Sequence, residues 1–355
     1  MKKINTATIT WISWNNFGSL LQAFALQQIL LKLGVRNKIL CDKRFAIPKI
    51  SLRKRIKKLK NIILRKNINP SDTMFTKFRK RFLQIDTTAS YSTLNKRYDI
   101  FICGSDQIWS PYLKHEPYYY LRYFSKKKVA YAPSIGTCSF SEEYVKTILG
   151  DLRQFAHLSA REGKSASKLS AMSGLSITEV LDPTLLLDSS DWEKLLVQQD
   201  TTESYVLCYF LSPNQWYMDY VAQYAKKHHL SIKIFNTHKQ YSDYAEAIPA
   251  GPCEFLSYIN SAQIVFTDSY HASIFSILFR KKFFTFKRFV DDGDLDQNER
   301  IYNLFNHLGL QSYFIGMRDT ATIDELPDIE YDSVEKTLST LRLNSIQFLK
   351  QAISQ

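Results

Sequence analysis

Short apolar runs alternate with segments of helical periodicity along most of this chain, and this alternation limits the possible folds more than any other feature. The first unit predicts a strand in residues 4–12, a helix from Gly18 to Leu33 and a strand from Asn37 to Cys41. Gly34 is a typical helix stop between the last two. A strand, a helix and a second strand in this order indicate a parallel sheet covered by helices.

The same pattern continues in two blocks. The first block has three further predicted strands, at Tyr98–Cys103, Val129–Pro133 and His157–Arg161. The second block has predicted helices in 220–228, 254–261 and 269–279, and predicted strands at Ser204–Leu211, Ser231–Phe235, Gln263–Thr267 and Lys282–Phe286. The sequence therefore predicts an α/β protein with two Rossmann-like, doubly wound domains that face a cleft.

We expect the domain boundary near residues 186–200. The N-terminal domain would occupy residues 1–190, with a basic helical insertion near 49–82, and the C-terminal domain residues 200–330. Residues 331–355 would form a C-terminal helix that packs back on the N-terminal domain. Since the chain has 355 residues, of which 45% are hydrophobic and 23% charged, each domain can bury a core of its own.

The overall charge and hydropathy limit the partners and the compartment. The sequence shows neither a secretory signal peptide nor an apolar run long enough to span a membrane, so we expect a cytoplasmic protein. The net charge of +13 favours a polyanionic partner, such as nucleic acid, an anionic membrane surface or phosphorylated small molecules. No recognised nucleic-acid motif accompanies this charge, and nucleic acid is not expected as a partner.

The segment from Lys49 to Lys66 is strongly basic, with nine Lys or Arg residues and no acidic residue. An apolar stripe runs along one face of a predicted helix here, formed by Leu52, Ile56, Leu59 and Ile63. A basic amphipathic helix of this kind can lie on the inner face of an anionic membrane. Alternatively, the stripe packs on the protein and only the charges face outward.

Polar residues follow several of the predicted strands, where ligands bind in doubly wound folds. The turn after the first strand, SWNNFGSLLQ, offers Asn15, Asn16, Gly18 and Gln22 to a sugar or a phosphate. A later turn, CGSDQIW, offers a hydroxyl, a carboxylate, an amide and an aromatic face, from Ser105, Asp106, Gln107 and Trp109. Both turns also fit simple helix caps.

Two further strand ends carry residues suited to anion binding and acid–base chemistry. Arg161 lies in SAREGKS, where a guanidinium can bind a carboxylate or a phosphate, although a surface pair with Glu162 also fits. The segment TDSYHAS places His271 in the first turn of a predicted helix, where a general acid or base could face a ligand in the cleft, after Asp268, Ser269 and Tyr270. No histidine spacing resembles a metal site.

In order and spacing, these segments resemble the polysaccharide pyruvyl transferase family over about residues 4–305. The matching blocks are NNFGSLLQAFALQQILLKLG, GSDQIW, KKVAYAPSIG, SAREGKS, VLDPTLLLD and GPCEFLSYINSAQIVFTDSYHASIF. The resemblance implies a GT-B-like arrangement of the two domains and an enzyme without a cofactor. It also implies phosphoenolpyruvate as the donor and a nucleotide-linked or lipid-linked glycan, a precursor of a cell-surface polysaccharide, as the acceptor.

The resemblance also implies a mechanism. The donor's methylene carbon is protonated, two sugar hydroxyls add in turn to C2, and phosphate leaves to give a cyclic pyruvate ketal. His271 would be the proton donor or the base for a hydroxyl, and Arg161 would bind the carboxylate or phosphate of the donor. Asp106 or Asp268 would be the partner base.

The chain departs from the family pattern at one position. Characterised members commonly carry an arginine two residues before the matched histidine, whereas this chain has Ser269, as in a bacterial branch with the pattern DS[FY]H. The missing positive charge has several alternative sources, namely Arg280, Lys281, Lys282 and Arg300.

Two other functions fit the same residues. A GT-B-like glycosyltransferase that uses a nucleotide sugar would have the same two-domain cleft. A non-catalytic protein that binds a glycan or a membrane would use the polar strand ends for recognition only.

Overall fold

A computed structural model describes residues 3–41, 69–199, 203–235, 241, 244–245, 247–288, 298–317 and 323–354. The basic helix predicted at Lys49–Lys66 lies outside the described residues. Helices and strands are labelled below in chain order among the described residues.

The N-terminal domain is built on a five-stranded parallel sheet with the strand order β3-β2-β1-β4-β5. This is the strand order of nucleotide-binding doubly wound folds. Its elements are β1 (Asn5–Ile9), α1 (Phe17–Lys32), β2 (Arg36–Leu40), α2 (Pro70–Phe82), β3 (Ile85–Asp86), α3 (Tyr91–Arg97), β4 (Ile100–Gly104) and β5 (Lys127–Tyr131). The interior strand β4 is buried along its whole length because helices cover both faces of the sheet.

Shorter elements extend this domain beyond β5. They are α4 (Glu142–Leu152), β6 (Ser159–Ala160), α5 (Gly163–Ser173) and β7 (Thr178–Glu179), followed by a 3₁₀ turn (Pro183–Leu186) and α6 (Ser189–Glu193). β6 and β7 pair with each other in parallel. The backbone N–H of Ala130 in β5 donates to the carbonyl of His157, 2.9 Å away, and this bond joins the β6 segment to the main sheet.

The C-terminal domain contains a six-stranded parallel sheet with the order β10-β9-β8-β11-β12-β13. Its elements are β8 (Tyr205–Tyr209), α7 (Gln215–Lys227), β9 (Ser231–Phe235), β10 (Ala247–Ile248), α8 (Pro252–Ser261), β11 (Ile264–Thr267), α9 (Tyr270–Leu278), β12 (Lys282–Phe286), α10 (Glu299–Leu308) and β13 (Phe314–Ile315). The predicted α/β fold with two doubly wound parallel sheets is confirmed.

The last helix, α11 (Tyr331–Ser354), returns to the N-terminal domain. Ser345 Oγ accepts a hydrogen bond from the backbone N–H of Leu181 at 3.0 Å, and Arg342 Nε donates to the carbonyl of Leu185 at 2.8 Å. The ring of Phe348 lies 6.3 Å from that of Tyr131 in β5. Among the described residues, no helix combines the length and the apolar character needed to cross a membrane.

The helix α1 lies between the two domains and contributes to the core of both. Nearly all of its side chains are buried, as expected for a helix that is apolar on every side. The ring of Phe17 stacks on Phe255 of α8 at 4.4 Å and on Phe75 of α2 at 5.1 Å. This packing holds the carboxyl ends of the strands of both sheets around a common cleft.

Candidate functional site

A cavity of about 440 Å³, which we call the His271 cavity, opens between the domains at the carboxyl ends of the strands. Both sheets contribute to its wall, through the turns that follow β1, β4 and β11. Seven of the residues predicted for the site line it, namely Asn16, Gly18, Asp106, Gln107, Ser269, Tyr270 and His271. The structure therefore brings together residues that are far apart in the sequence.

His271 lies in the first turn of α9, directly against the first turn of α1. A Cβ atom added to Gly18 would lie only 2.0 Å from His271 Nδ1. Only glycine at position 18 leaves room for the imidazole, because real Cβ atoms do not approach other atoms so closely. The other ring nitrogen, Nε2, points into the protein and is 3.6 Å from Asp182 Oδ2.

Asp106 lines the cavity from the turn after β4 and has a left-handed backbone conformation, with φ of 65°. Aspartate adopts this conformation more readily than most residues, and such conformations are frequent at functional sites. Its Oδ2 accepts a short hydrogen bond from Ser19 Oγ, and its Oδ1 accepts one from the backbone N–H of Gln107 at 2.9 Å. The carboxylate is thus held at the edge of the cavity.

Three cationic side chains line the cavity, namely those of Lys114, Arg288 and Arg300. Arg300, in the first turn of α10, is half-buried, and its Nε has no hydrogen-bond partner among the described residues. Burial lowers the pKa of Arg300 to about 10, and the nearby guanidinium of Arg161 adds to this effect. Arg288 follows β12; its Nε donates to Ser212 Oγ at 2.9 Å and lies 3.5 Å from Asp268. An anion bound here would relieve the repulsion between neighbouring cations.

Arg161 was predicted to bind the substrate but lies behind the wall of this cavity. It is 3% exposed, its Nη1 donates to Asp182 at 2.7 Å, and its Nε donates to Glu162 at 3.0 Å. Although burial lowers the pKa of Arg161, these carboxylates raise it above its ordinary value. Its guanidinium lies 4.5 Å from the centre of the Tyr270 ring. Arg161 instead lines a smaller cavity of about 90 Å³ beside Asp182.

Four more predicted residues are internal and do not reach the cavity. Trp109 is fully buried and stacks on Tyr120 at 5.4 Å, so it offers no face to a sugar. Gln22 donates to Thr10 Oγ1 at 2.9 Å, and Ser105 Oγ donates to Asp182 at 3.1 Å. Asp268 accepts hydrogen bonds from the backbone N–H groups of residues 211 and 212, and burial raises its pKa.

A second cavity of about 470 Å³, the Phe17 cavity, adjoins the first and shares the side chain of Tyr209 with it. Three further aromatic side chains line it, namely Phe17, Phe75 and Phe235. Its polar residues include Asp72 and the predicted site residue Asn15, whose Nδ2 donates to Asp72 Oδ1 at 2.6 Å. Aromatic rings next to amide and carboxylate groups are well suited to a sugar.

Sequence reasoning missed several charged residues of this region, among them Asp182 and Arg288. Arg288 follows a predicted strand by two residues, which is the same signal that identified His271 and Asp106. Asp182 belongs to VLDPTLLLD, which was recognised only as a block of the family resemblance. In the part of the chain that the structure describes, no group of three or more His, Cys, Asp or Glu side chains could hold a metal ion.

Comparison with models of known protein families shows to which family the chain belongs. The model of the polysaccharide pyruvyl transferase family matches residues 16–288, which is more than half of the sequence. The chain belongs to this family. No curated protein matches the sequence.

The fold is shared with solved structures of low sequence identity. One is MnaA of S. aureus with UDP, at 11% identity and a TM-score of 0.51, over 95% of this chain and 91% of that one. Another is the UDP-GlcNAc 2-epimerase of Methanocaldococcus jannaschii, at 12% identity and a TM-score of 0.50, over 96% of this chain and 99% of that one. These similarities confirm the GT-B-like arrangement of the two domains.

Ser269 lies at the position where the family resemblance implied an arginine, two residues before His271. Ser269 caps α9, because its Oγ accepts a hydrogen bond from the backbone N–H of Ala272. Of the four alternative sources of charge, only Arg300 lines the His271 cavity. Arg280 pairs with Asp332 at 3.0 Å, Lys281 donates to the carbonyl of Asn260 at 3.1 Å, and Lys282 lies 3.6 Å from Asp328.

Proposed function

We propose that this transferase moves the pyruvyl group of phosphoenolpyruvate onto two hydroxyls of a sugar and forms a pyruvate ketal. The single observation that carries this proposal is the presence of His271, Arg288 and Arg300 in one cavity between the domains of a pyruvyl transferase family member. We also propose that the protein acts in the cytoplasm or at the inner face of its membrane, on precursors of a cell-surface polysaccharide.

The charge of the cavity supports phosphoenolpyruvate as the donor. In this molecule C2 carries a carboxylate directly and a phosphate through its oxygen. Two separate cationic groups can therefore bind its two anionic groups. Arg300, whose Nε has no hydrogen-bond partner in the described part of the chain, would bind one of these groups, and Arg288 would approach the other. Guanidinium groups bind both kinds of anion through paired hydrogen bonds.

The proposed reaction breaks the bond between C2 and the phosphate oxygen and forms two bonds from C2 to acceptor oxygens. An acid protonates the C3 methylene, which becomes the methyl group, and C2 becomes electrophilic. The first hydroxyl adds to C2 and loses its proton to a base. Phosphate then leaves with the electron pair of its bond, and the second hydroxyl adds and loses its proton. One hydroxyl proton restores the acid and the other leaves with phosphate, so no other reactant is needed.

His271 is the group in this cavity best suited to the proton transfers, because imidazole exchanges protons near neutral pH. Asp106 would be the second acid–base group, since its carboxylate also lines the cavity. Asp268 fits this role less well because it is 1% exposed and its oxygens accept backbone hydrogen bonds. The Phe17 cavity would hold the sugar of a nucleotide-linked or lipid-linked acceptor.

The direct test is to incubate the purified protein with phosphoenolpyruvate and a panel of UDP-sugars. Release of inorganic phosphate and the product mass are then followed. We expect phosphate release that depends on the acceptor, a product that carries one pyruvyl ketal, and no turnover with His271→Ala. Arg300→Gln should raise the KM for phosphoenolpyruvate about 10-fold or more, since a charged hydrogen bond contributes about 1.5–3 kcal/mol.

Arg280→Gln is the matched control, because this arginine is exposed and lies outside the cavity. It should leave the KM unchanged. Release of UDP without consumption of phosphoenolpyruvate would instead identify a glycosyltransferase. Binding of a sugar without turnover of either donor would identify a glycan-binding protein.

A further inference from the structure

Asp182 is the most completely hydrogen-bonded carboxylate near the His271 cavity. It is fully buried at the start of the 3₁₀ turn, and its Oδ1 accepts from Thr184 N at 3.0 Å and from Thr184 Oγ1 at 2.7 Å. Its Oδ2 accepts from Arg161 Nη1 at 2.7 Å and from Ser105 Oγ at 3.1 Å. Burial alone would raise the pKa of Asp182, but the groups that face it, His271 first and then Arg161, hold it well below its ordinary value.

The two ring nitrogens of His271 have different surroundings. Nε2 is shielded from solvent, has no hydrogen-bond partner among the described residues and is 3.6 Å from Asp182 Oδ2. A small rotation of the ring would close this distance to a hydrogen bond, and such contacts often tighten only when the substrate binds. Nδ1 is the ring atom nearest to Gly18, and the side chain as a whole lines the cavity.

We propose that Asp182 is a positioning residue, which accepts the Nε2 proton of His271 and so leaves Nδ1 to exchange a proton with the substrate. The role in catalysis rests on the function proposed above, whereas the pairing of the two side chains does not. A carboxylate that orients an imidazole fixes its tautomer and stabilises the imidazolium that forms in the reaction.

The same geometry gives Arg161 a role different from donor binding. Two of its nitrogens are occupied by Asp182 and Glu162, and the residue is 3% exposed. Glu162 is itself held by Ser134 Oγ at 2.6 Å and by the backbone N–H of Ile135 at 3.2 Å. Arg161 therefore keeps Asp182 ionised and in place, and it acts on the reaction through Asp182.

The pairing can be tested in the wild-type protein by NMR of the histidine side chains. Long-range ¹H–¹⁵N spectra distinguish the two neutral tautomers when they are recorded well above the pH at which imidazole titrates. The signals of His271 are assigned by comparison with His271→Asn. We expect the tautomer with the proton on Nε2 in the wild type and a loss of this preference in Asp182→Asn. A proton on Nδ1 in the wild type, or an unchanged tautomer in Asp182→Asn, would overturn the proposal.

Kinetics with phosphoenolpyruvate and an acceptor test the catalytic role. Asp182→Asn should lower kcat by on the order of 10²- to 10⁴-fold, as expected when an orienting carboxylate loses its charge. The KM for phosphoenolpyruvate should stay nearly the same. The matched control is Asp86→Asn, since Asp86 is also buried and accepts from Arg97 and from Tyr98 Oη at 2.7 Å, but lines neither cavity. An equal loss of kcat in both variants would contradict the role.

Arg161→Gln separates positioning from donor binding. We expect a lower kcat and an altered His271 tautomer with a nearly unchanged KM for phosphoenolpyruvate. A large rise in that KM with an unchanged tautomer would show that Arg161 binds the donor directly. If the protein does not use phosphoenolpyruvate at all, the NMR result still decides whether Asp182 and His271 form a pair, so the two proposals fail separately.

Discussion

At the scale of single residues, the position of His271 depends on a neighbour without a side chain. Gly18 lies in the first turn of α1, and a Cβ there would meet the imidazole at 2.0 Å. We predict that Gly18→Ala moves His271 and lowers kcat by about 10²-fold, which is the lower end of the typical contribution of a positioned acid–base group. The thermal midpoint should fall only modestly, because alanine favours the helix by about 1 kcal/mol and so offsets part of a clash that typically costs about 1–3 kcal/mol.

Gly150→Ala is the control for this prediction. Gly150 also lies within a helix, α4, but a Cβ at this position would meet no atom of the described residues within 4 Å. Steady-state kinetics and thermal melts of the two variants are compared. We expect Gly150→Ala to keep full activity and to be slightly more stable than the wild type. Full activity in Gly18→Ala would show that the ring does not need this space.

The sequence was informative about site residues that follow strands and uninformative about pairs formed in the fold. His271, Asp106 and Gly18 could be predicted, because the carboxyl ends of parallel strands meet at one edge of a sheet. The contact between Asp182 and His271 joins segments from two domains, and no local sequence pattern predicts such a contact. Trp109 was predicted to face a ligand, but the sequence could not show that Tyr120 covers its ring.

At the scale of elements, α10 links the two domains and carries a cavity arginine. Its first residue, Glu299, accepts hydrogen bonds from the backbone N–H of Ser165 at 3.1 Å and from Ser165 Oγ at 3.0 Å, at the start of α5. Arg300 follows it directly and lines the His271 cavity. Burial raises the pKa of Glu299 to about 7, and repulsion from Glu162 adds to this effect.

This raised pKa makes a testable link between pH and stability. Between the ordinary pKa of a glutamate, about 4.3, and about 7, the folded state holds a proton that the unfolded state has lost. The free energy of unfolding contributed by Glu299 therefore falls as pH rises through this window and is constant above it. We predict that Glu299→Gln flattens this part of the pH dependence and raises the thermal midpoint at pH 8 relative to the wild type.

Thermal melts between pH 4.5 and 8 measure this effect, with Glu142→Gln as the control. Glu142 is a glutamate on α4 whose side chain is 79% exposed, and its replacement should leave the pH dependence as in the wild type. The same slope in Glu299→Gln and in the wild type would mean that Glu299 is ionised throughout this range in the folded protein.

The elements themselves were predicted to different degrees. The strands Ser231–Phe235 and Lys282–Phe286 were predicted to the residue, because each is an apolar run with clear polar limits. Several short strands were not predicted, among them Ile85–Asp86 and Phe314–Ile315. Two residues carry no periodicity, so their pairing depends on the neighbouring strand and not on their own sequence.

At the scale of the whole molecule, one apolar core includes residues of both domains and the C-terminal helix. Phe24 of α1 contacts Trp192 at 5.7 Å, and Trp192 contacts Phe275 of α9 at 4.8 Å. The walls of the cleft are thus packed on a common core. In the sequence, the segment that carries much of the net positive charge, Lys49–Lys66, falls between β2 and α2.

The position of the basic segment in the chain suggests how a lipid-linked acceptor would be approached. Asn69, the first described residue after it, lines the Phe17 cavity, which we propose as the acceptor site. If the acceptor is carried on a polyprenyl phosphate, the protein works at an anionic membrane, where each Lys or Arg near the surface contributes about 1 kcal/mol. Attraction of this kind is screened over about 10 Å at 0.1 M salt.

We therefore predict that the protein sediments with anionic vesicles at low salt and is released at high salt. Binding should be lost when five basic residues of the segment are replaced by Gln, namely Arg53, Lys54, Arg55, Lys57 and Lys58. The control removes the same charge from exposed lysines elsewhere, at Lys146, Lys194, Lys226, Lys227 and Lys350. Equal loss of binding in both variants would show that net charge alone attracts the protein to the vesicles. No sedimentation of the wild type at low salt would instead favour a nucleotide-linked acceptor in solution.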